Sequence, residues 1–369
     1  MSETILITGG AGLIGRHVAR MLLQEGHHVR ALDSMVEQVH HGATRPTDLH
    51  PDVHLVVGDV RDADVVTAAL RGVDAVVHLA AEVGVGQSMY QIDRYVGAND
   101  LGTAVLFQQL IARPVRRVVT ASSMSIYGEG LYRDAQGRLR EDVERRPRVP
   151  GRGWDPVDDE GCPLEPLPTP ESKRPSLASV YALGKYVQER LTLTVAPAYG
   201  MEAACLRLFN VYGPGQALSN PYTGVLAIFA SRLANGQPPL IFEDGEQRRD
   251  FVHVDDVARA FALALSQPSA AGGVFNVGSG RDVSVNEVAR GIAHAMGIDL
   301  APVITGQART GDIRHCFADV GRAREVLGFT PRRDWSDGLG ELAEWVERQE
   351  AEDRVAEATR ELERRGLVA

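Results

Sequence analysis

Lysine is almost missing from this chain of 369 residues: Lys173 and Lys185 stand alone against 37 arginines. Cysteine is nearly as scarce. Cys162, Cys205 and Cys316 are too few and too scattered for a disulfide framework or a metal cluster, so no metal is expected and a reducing cytoplasm is the expected setting. Positive charge is outnumbered as well. Lys+Arg 39 against Asp+Glu 49 gives a net charge of −10, which argues against a nucleic-acid partner. No apolar run approaches the ~18 residues that span a bilayer, so no membrane helix is expected. Only Ser2 and Glu3 precede the first apolar strand, and no signal peptide is expected. What is present is ordinary globular composition, 44% apolar and 24% charged, at a length that suits one large α/β unit or two domains sharing an interface.

The first 120 residues alternate strand and helix patterns. Short β-branched and apolar runs at Thr4–Thr8, His28–Asp33, Val53–Val57, Ala75–Leu79 and Arg117–Ala121 read as buried strands, with Ala203–Phe209 and Gly273–Val277 as later ones. Between the first two, Leu13, Ile14, His17, Val18, Met21 and Leu22 trace one helix face, stopped by Gly26. Asp100–Arg113 reads as a helix ended by Pro114. Buried strands alternating with helices predict a parallel sheet covered on both faces. Eight of the 19 prolines fall between Pro147 and Pro175, so 128–175 is expected as an insertion over the sheet's edge, a lid or a solvated loop, with loop as the default. Glu341–Arg365 carries mixed charge at helical spacing and predicts a solvated terminal helix.

Thr8–Gly15 follows the first strand and opens the first helix. Glycines there let the backbone approach a pyrophosphate, which rests on unpaired N–H groups at the helix start. Asp33, ending the second strand, can accept both hydroxyls of an adenosine ribose and would repel a 2′-phosphate, which favours NAD over NADP. Asp59 and Val60 follow the third strand, where Asp59 could meet the adenine amino group. Leu79, Ala80 and Ala81 end the fourth with small residues that let a flat ring approach. His78 reads as a core or capping histidine. Tyr181 and Lys185 share a helix face at i,i+4. About one chain in twenty would show such a pair by chance with lysine this rare. A phenol titrates near ~10, and a neighbouring ammonium and a nicotinamide cation would both lower it toward use as a base. Ser122–Gly128, after the fifth strand, can supply a third polar group to hold a substrate oxygen.

Taken in order, Thr8–Gly15, Asp59, Asn99–Thr103, Ser122–Gly128, Tyr181–Lys185, Leu206–Gln216, Arg249–Asp256 and Arg309–Asp312 resemble the extended short-chain dehydrogenase/reductase superfamily, in its nucleotide-sugar epimerase and dehydratase branch. The resemblance implies a Rossmann-type doubly wound parallel sheet with a smaller C-terminal α/β substrate-binding domain. It places NAD binding in 1–209, with 251–277 returning to that domain, nucleotide-sugar binding mainly in 210–345, and a charged helix in 346–369. It further implies Ser123, Tyr181 and Lys185 as catalytic residues. NAD would be held by Gly9, Gly12, Leu13, Ile14, Gly15, Asp33, Asp59, Val60, Leu79, Ala80, Ala81, Asn99, Tyr181 and Lys185, with Asn99 near the nicotinamide end. Ser123, Ser125, Asn210, Gln216, Arg249, Arg309 and Asp312 would meet the substrate, the two arginines and Asn210 at the diphosphate, where a planar guanidinium pairs two oxygens at once.

Relatives that eliminate water carry Asp-Glu directly after the catalytic Thr, and nucleotide-uronate decarboxylases keep a Glu at the second position. Here those positions are Met124 and Ser125, neither a proton-transfer group at neutral pH. This implies a 4-epimerase that oxidises its sugar transiently and returns the hydride to the opposite face. Ser125 would merely fill the place of the dehydratase carboxylate. The insertion, Met124–Gly130 and Asn220–Gly224 resemble epimerases of dTDP-6-deoxyhexoses, dTDP-L-rhamnose 4-epimerases among them. A ketoreductase or 4,6-dehydratase of the same family and a non-catalytic NAD-sensing protein are the alternatives. The resemblance also implies a homodimer paired through Asp100–Arg113 and the Tyr181 helix, with Leu106 and Val187 among its exposed apolar positions.

Overall fold

The computed structural model describes residues 2–40, 42, 44–143, 153–220, 222, 224–309, 311–349 and 353–368. Pro221, Thr223 and Thr310 of the motifs above, 144–152 of the insertion, and 350–352 and 369 of the tail lie outside the described residues.

The first half follows the alternation of its sequence. Strand β1 (Thr4–Thr8) turns into helix α1 (Leu13–Gln24); β2 (His28–Asp33) is followed by the single turn α2 (Glu37–His40) and by β3 (His54–Val57). Helix α3 (Ala63–Ala69) starts at Asp62, whose carboxylate accepts the Asp64 and Val65 N–H groups. After β4 (Ala75–His78) come the short turns α4 (Val85–Ser88) and α5 (Ile92–Tyr95). The helix expected over Asp100–Arg113 differs in form: Val96–Leu101 winds as a π-helix, and α6 occupies Gly102–Ala112. Strand β5 (Arg117–Ser123) ends at the serine cluster.

The insertion corrects the loop reading. It holds β6 (Leu131–Arg133), β7 (Leu139–Arg140) and β8 (Glu165–Leu167), a small antiparallel sheet in the order β7-β6-β8. Gly130 N–H bonds His315 O at 2.8 Å and Thr169 N–H bonds Phe317 O at 2.8 Å, so the insertion is stitched to the second half of the chain. None of its described residues lines the ligand cleft.

Helix α7 (Val180–Ala198) leads to β9 (Glu202–Leu208) and β10 (Asn210–Tyr212). Beyond it lie α8 (Val225–Ala234), β11 (Leu240–Ile241), β12 (Arg248–His253), α9 (Val254–Ser266), β13 (Gly273–Val277) and β14 (Asp282–Ser284). Then follow α10 (Val285–Ala295), β15 (Val303–Ile304), β16 (His315–Cys316), α11 (Trp335–Val346) and α12 (Val355–Arg364). Seven parallel strands in the order β13-β9-β5-β4-β1-β2-β3 form the main sheet. Its direction of winding reverses beside β1, and ligands of such sheets bind at the carboxyl ends next to that reversal. One face is packed by α1 and α9 through Val18, Leu22, Phe261 and Leu265, the other by α3, α6 and α7 through Val66, Leu106, Leu110 and Ala196. Leu106 is fully buried there, so it is not the exposed position expected.

A second sheet, β10-β12-β14 with β16 on β12, packs with α8, α10 and α11 around Leu226, Phe229, Ile292 and Leu342. Because β12 belongs to this sheet, the return expected over 251–277 begins only at α9. The charged tail is likewise not one helix. Helix α11 ends at Val346 and α12 begins at Val355, and α12 is not simply solvated: Ala358 and Leu362 are buried, Leu362 against Gly86 of the first domain. Asp353 pairs with Arg232 at 2.9 Å and the Arg365 guanidinium lies 4.2 Å above the Tyr90 ring, so the tail crosses from one domain to the other.

Candidate active site

The carboxyl ends of β1, β4 and β5 open on a cleft of about 980 Å³ between the two domains. Gly9, Gly12, Leu13, Ile14, Gly15, Asp33, Asp59, Val60, Leu79, Ala80, Ala81, Ser123, Ser125, Tyr181 and Lys185 line it from the first domain; Asn210, Gln216, Arg249, Arg309 and Asp312 line it from the second. Asn99 does not. It is fully buried, and its amide is consumed by the backbone of Glu82, accepting that N–H at 2.7 Å and donating to its carbonyl at 3.2 Å. It braces the wall from behind.

The glycine turn has the shape a dinucleotide needs. A Cβ on Gly9 would stand 2.8 Å from Ala80 N, and one on Gly15 would stand 2.5 Å from Gly9 O, so neither side of the turn tolerates a side chain. The α1 start is uncapped by any side chain: Gly12 holds the cap position. Asp33 receives the Ala11 N–H at 3.0 Å and the Met35 N–H at 2.9 Å, with His40 3.4 Å away. Burial raises its carboxyl pKa, but these donors prevail and hold it ionised below the usual carboxylate range. A fixed carboxylate beside the turn suits ribose hydroxyls and repels an added phosphate. Asp59 is clasped by Arg61.

The wall that carries Ser123, Tyr181 and Lys185 is built by β5 and α7. Ser179 caps α7, accepting the Ala182 N–H at 3.1 Å. Gly184 allows close packing on the π-helix, since a Cβ there would stand 3.0 Å from Asp100 Oδ1. Under the helix, Glu189 and Arg207 form a buried ion pair at 2.7 Å, and Ser122 donates to Glu189 at 2.7 Å. Lys185 Nζ donates to Ala121 O at 3.1 Å and Gln188 Oε1 at 2.8 Å, leaving its third proton without a partner among the described residues. Burial pushes its pKa down to about 7.

Tyr181 departs from expectation in its electrostatics. Burial raises its phenol pKa, and the opposing pull comes from a hydrogen bond with Ser123. The Lys185 ammonium, turned toward Ala121 and Gln188, is not the source. Ser123 Oγ accepts both the Ser125 N–H at 3.2 Å and the Ser125 hydroxyl at 3.0 Å. With both lone pairs engaged, its own proton is left to point at the phenol. His78 is as expected a core residue, bonded to Thr8 and Thr103 and held neutral with its pKa near 3 by burial.

On the far wall, Asp312 sits between Arg309 (2.9 Å) and Arg249 (3.5 Å). Arg249 also spends its fork on the carbonyls of Ile313 and Arg314. Asn210 Oδ1 and Gln216 Oε1 are buried with no protein partner among the described residues, two acceptors set into the cleft for donors from outside. Residues at the cleft that sequence reasoning did not single out include Gln38, Glu82, Val85, Gln247 and the α12 residues Ala358 and Leu362. Gln188, which holds Lys185, was also missed, although its i+3 spacing from Lys185 was visible.

A family model for the NAD dependent epimerase/dehydratase family matches residues 5–153 and 158–278. A dTDP-L-rhamnose 4-epimerase of Burkholderia thailandensis is 36% identical over 350 residues, 93% of this chain and 95% of that protein. The solved UDP-glucose 4-epimerase of Thermotoga maritima with UDP-glucose superposes with a TM-score of 0.75 at 30% identity, over 93% of this chain and 98% of that one. The Thermus thermophilus UDP-glucose 4-epimerase in complex with NAD gives 0.73 at 28% identity, over 94% and 100%. Both solved structures superpose over nearly the whole of this chain, the parallel main sheet and the second domain together. On these grounds the chain is an NAD-dependent enzyme and belongs to the NAD-dependent epimerase/dehydratase family.

Proposed function

We propose that the enzyme is a nucleotide-sugar 4-epimerase acting on a dTDP-6-deoxyhexose. One observation carries the reaction type: beside Ser123 the wall presents Met124 and a Ser125 already engaged with Ser123, where elimination or decarboxylation needs a carboxyl group. The nearby Glu82 is held by Arg94 at 2.8 Å. Bound NAD supplies a hydride acceptor and donor. Tyr181 takes the proton of the 4-hydroxyl as hydride leaves C4, and returns it to the keto oxygen when the hydride comes back to the opposite face of that carbon. Ser123 holds that oxygen and supports the phenolate, and Lys185 offers its spare proton to the ribose. Arg249, Arg309 and the amide N–H of Asn210 grip the nucleotide diphosphate, with Asp312 yielding the arginines to phosphate, while the oxygens of Asn210 and Gln216 take donors elsewhere on the nucleotide sugar. The dTDP-6-deoxyhexose is supported by the Burkholderia relative and by apolar Val85 and Met124 in the cleft lining. Incubation with dTDP-L-rhamnose, UDP-glucose and other nucleotide sugars, without added NAD, tests this. The expected product is the C4 epimer of dTDP-L-rhamnose; a dehydrated product, or strict need for stoichiometric NADH, overturns it.

We further propose a homodimer in a reducing cytoplasm, where the three cysteines stay free. Its interface would use the exposed Val96 and Leu101 of the π-helix and Leu183 of α7 in place of Leu106. Leu101→Glu with Leu183→Glu should convert a dimer to a monomer in light scattering; an unmodified protein that is monomeric at micromolar concentration rejects the assembly.

A further inference from the structure

Gln188 lies one turn beyond Lys185 on α7, is fully enclosed, and uses both ends of its amide. Its oxygen accepts the Lys185 ammonium at 2.8 Å. Its nitrogen donates its two protons to Thr103 Oγ1 at 2.9 Å and Ala80 O at 3.2 Å, with His78 Nε2 3.1 Å away. The chain of contacts continues. Thr103 Oγ1 gives its own proton to Asn99 O and so accepts from His78 Nε2 at 2.8 Å; His78 Nδ1 then accepts the Thr8 hydroxyl at 2.7 Å, and Thr8 Oγ1 receives the Ala80 N–H at 3.3 Å. Thr8 begins the glycine turn and Ala80 borders the cleft. One glutamine thus joins the lysine to both strand ends that cradle the dinucleotide.

We infer that Gln188 is a positioning residue for the reaction, which keeps Lys185 charged and aimed by accepting a hydrogen bond from its ammonium while anchoring it to the ends of β1 and β4. The inference rests on the role given to Lys185 above. A plain packing role would not need this polarity: an apolar side chain would fill the same space, but the ammonium would then have Ala121 O alone. The ionisable groups around the lysine offer no substitute. Asp100 of the π-helix packs behind Gly184, Tyr95 of α5 and Tyr181 are neutral phenols at pH 7, Glu189 is spent on Arg207 from β9, and His78 is neutral. With no carboxylate bonded to it, Lys185 depends on a neutral acceptor, in keeping with its pKa of about 7.

The scarcity of lysine makes this directly measurable. Protein labelled with 13C at the lysine ε-carbon gives two side-chain signals, from Lys173 and Lys185. In Gln188→Met the Lys185 midpoint should fall by at least about one unit, because the ammonium loses an acceptor; in Gln188→Glu it should rise by at least about one unit, because a carboxylate replaces it. Lys173, bonded to Tyr127 O and Arg174 O, should not move. In kinetics, the alkaline limb of kcat/KM should shift to lower pH in Gln188→Met, with a loss of about tenfold at pH 8, and back upward in Gln188→Glu. If Gln188→Met fails to fold, Gln188→Glu alone decides. An unchanged Lys185 midpoint overturns the inference. Failure to turn over any nucleotide sugar overturns the proposed function instead, because the titration needs no substrate.

Discussion

Ser125 donates its hydroxyl proton to Ser123 Oγ across 3.0 Å, and its backbone N–H meets the same oxygen at 3.2 Å. Together they commit Ser123 to donating toward Tyr181. Ser125→Ala should therefore raise the Tyr181 pKa further and move the acidic limb of the pH–rate profile upward, with a loss of about threefold to tenfold at pH 7. A side chain that merely filled a vacated carboxylate position would cost nothing, and a superimposable pH profile would show that.

Tyr181→Phe keeps the ring and removes the group that exchanges a proton with the sugar. Turnover should drop by at least about 100-fold, with NAD still released from the denatured protein in wild-type amount. Near-normal turnover would shift the site's purpose toward sensing NAD.

Glu189→Gln leaves Arg207 buried with its charge unpaired and Ser122 with a weaker acceptor. Both guanidinium and carboxylate are almost wholly enclosed, so the expected destabilisation is about 3–5 kcal/mol, read from chemical unfolding. Replacing both partners with apolar residues should restore part of it. A loss below about 1 kcal/mol would mean water reaches the pair.

His78 is held neutral, with its pKa pushed down to about 3, whereas an unfolded histidine titrates near ~6.5. Between those values only the unfolded chain takes up this proton. The stability His78 contributes is present above pH ~6.5 and drains away as pH falls toward 3. Proton NMR should show its ring unprotonated at pH 5, and a midpoint above 5 would contradict the Thr8–His78–Thr103 chain.

The main sheet was legible because buried parallel strands are written as unbroken apolar runs, as in Ala75–His78 and Arg117–Ala121. The wall that carries Ser123, Tyr181 and Lys185 was legible because the chemistry proposed for it needs rare residue types at fixed spacing, Tyr181 and Lys185 above all. The second sheet was not. Its strands are two to six residues long, and β16 joins β12 only through pairing far along the chain, so no local period reveals them. In the insertion, prolines hid strands of two and three residues whose order comes from bonds to His315 and Phe317. The tail's charges masked Ala358 and Leu362, the buried residues of α12. Asn99 and Gln188 were misjudged or missed because an amide's partners are set by what folds around it, and neither Glu82's backbone nor Thr103 is announced by spacing.

Both lysines lie inside the protein, Lys173 2% and Lys185 4% exposed. Apart from the N-terminal amine, the folded surface is therefore blank to chemistry that seeks primary amines. Acylating labels, aldehydes and isopeptide conjugation find guanidinium and imidazole where most proteins offer ε-amino groups. Lys185 is reached only through the cleft it lines, so its rate of capture by such a reagent reads how open that cleft is to solvent.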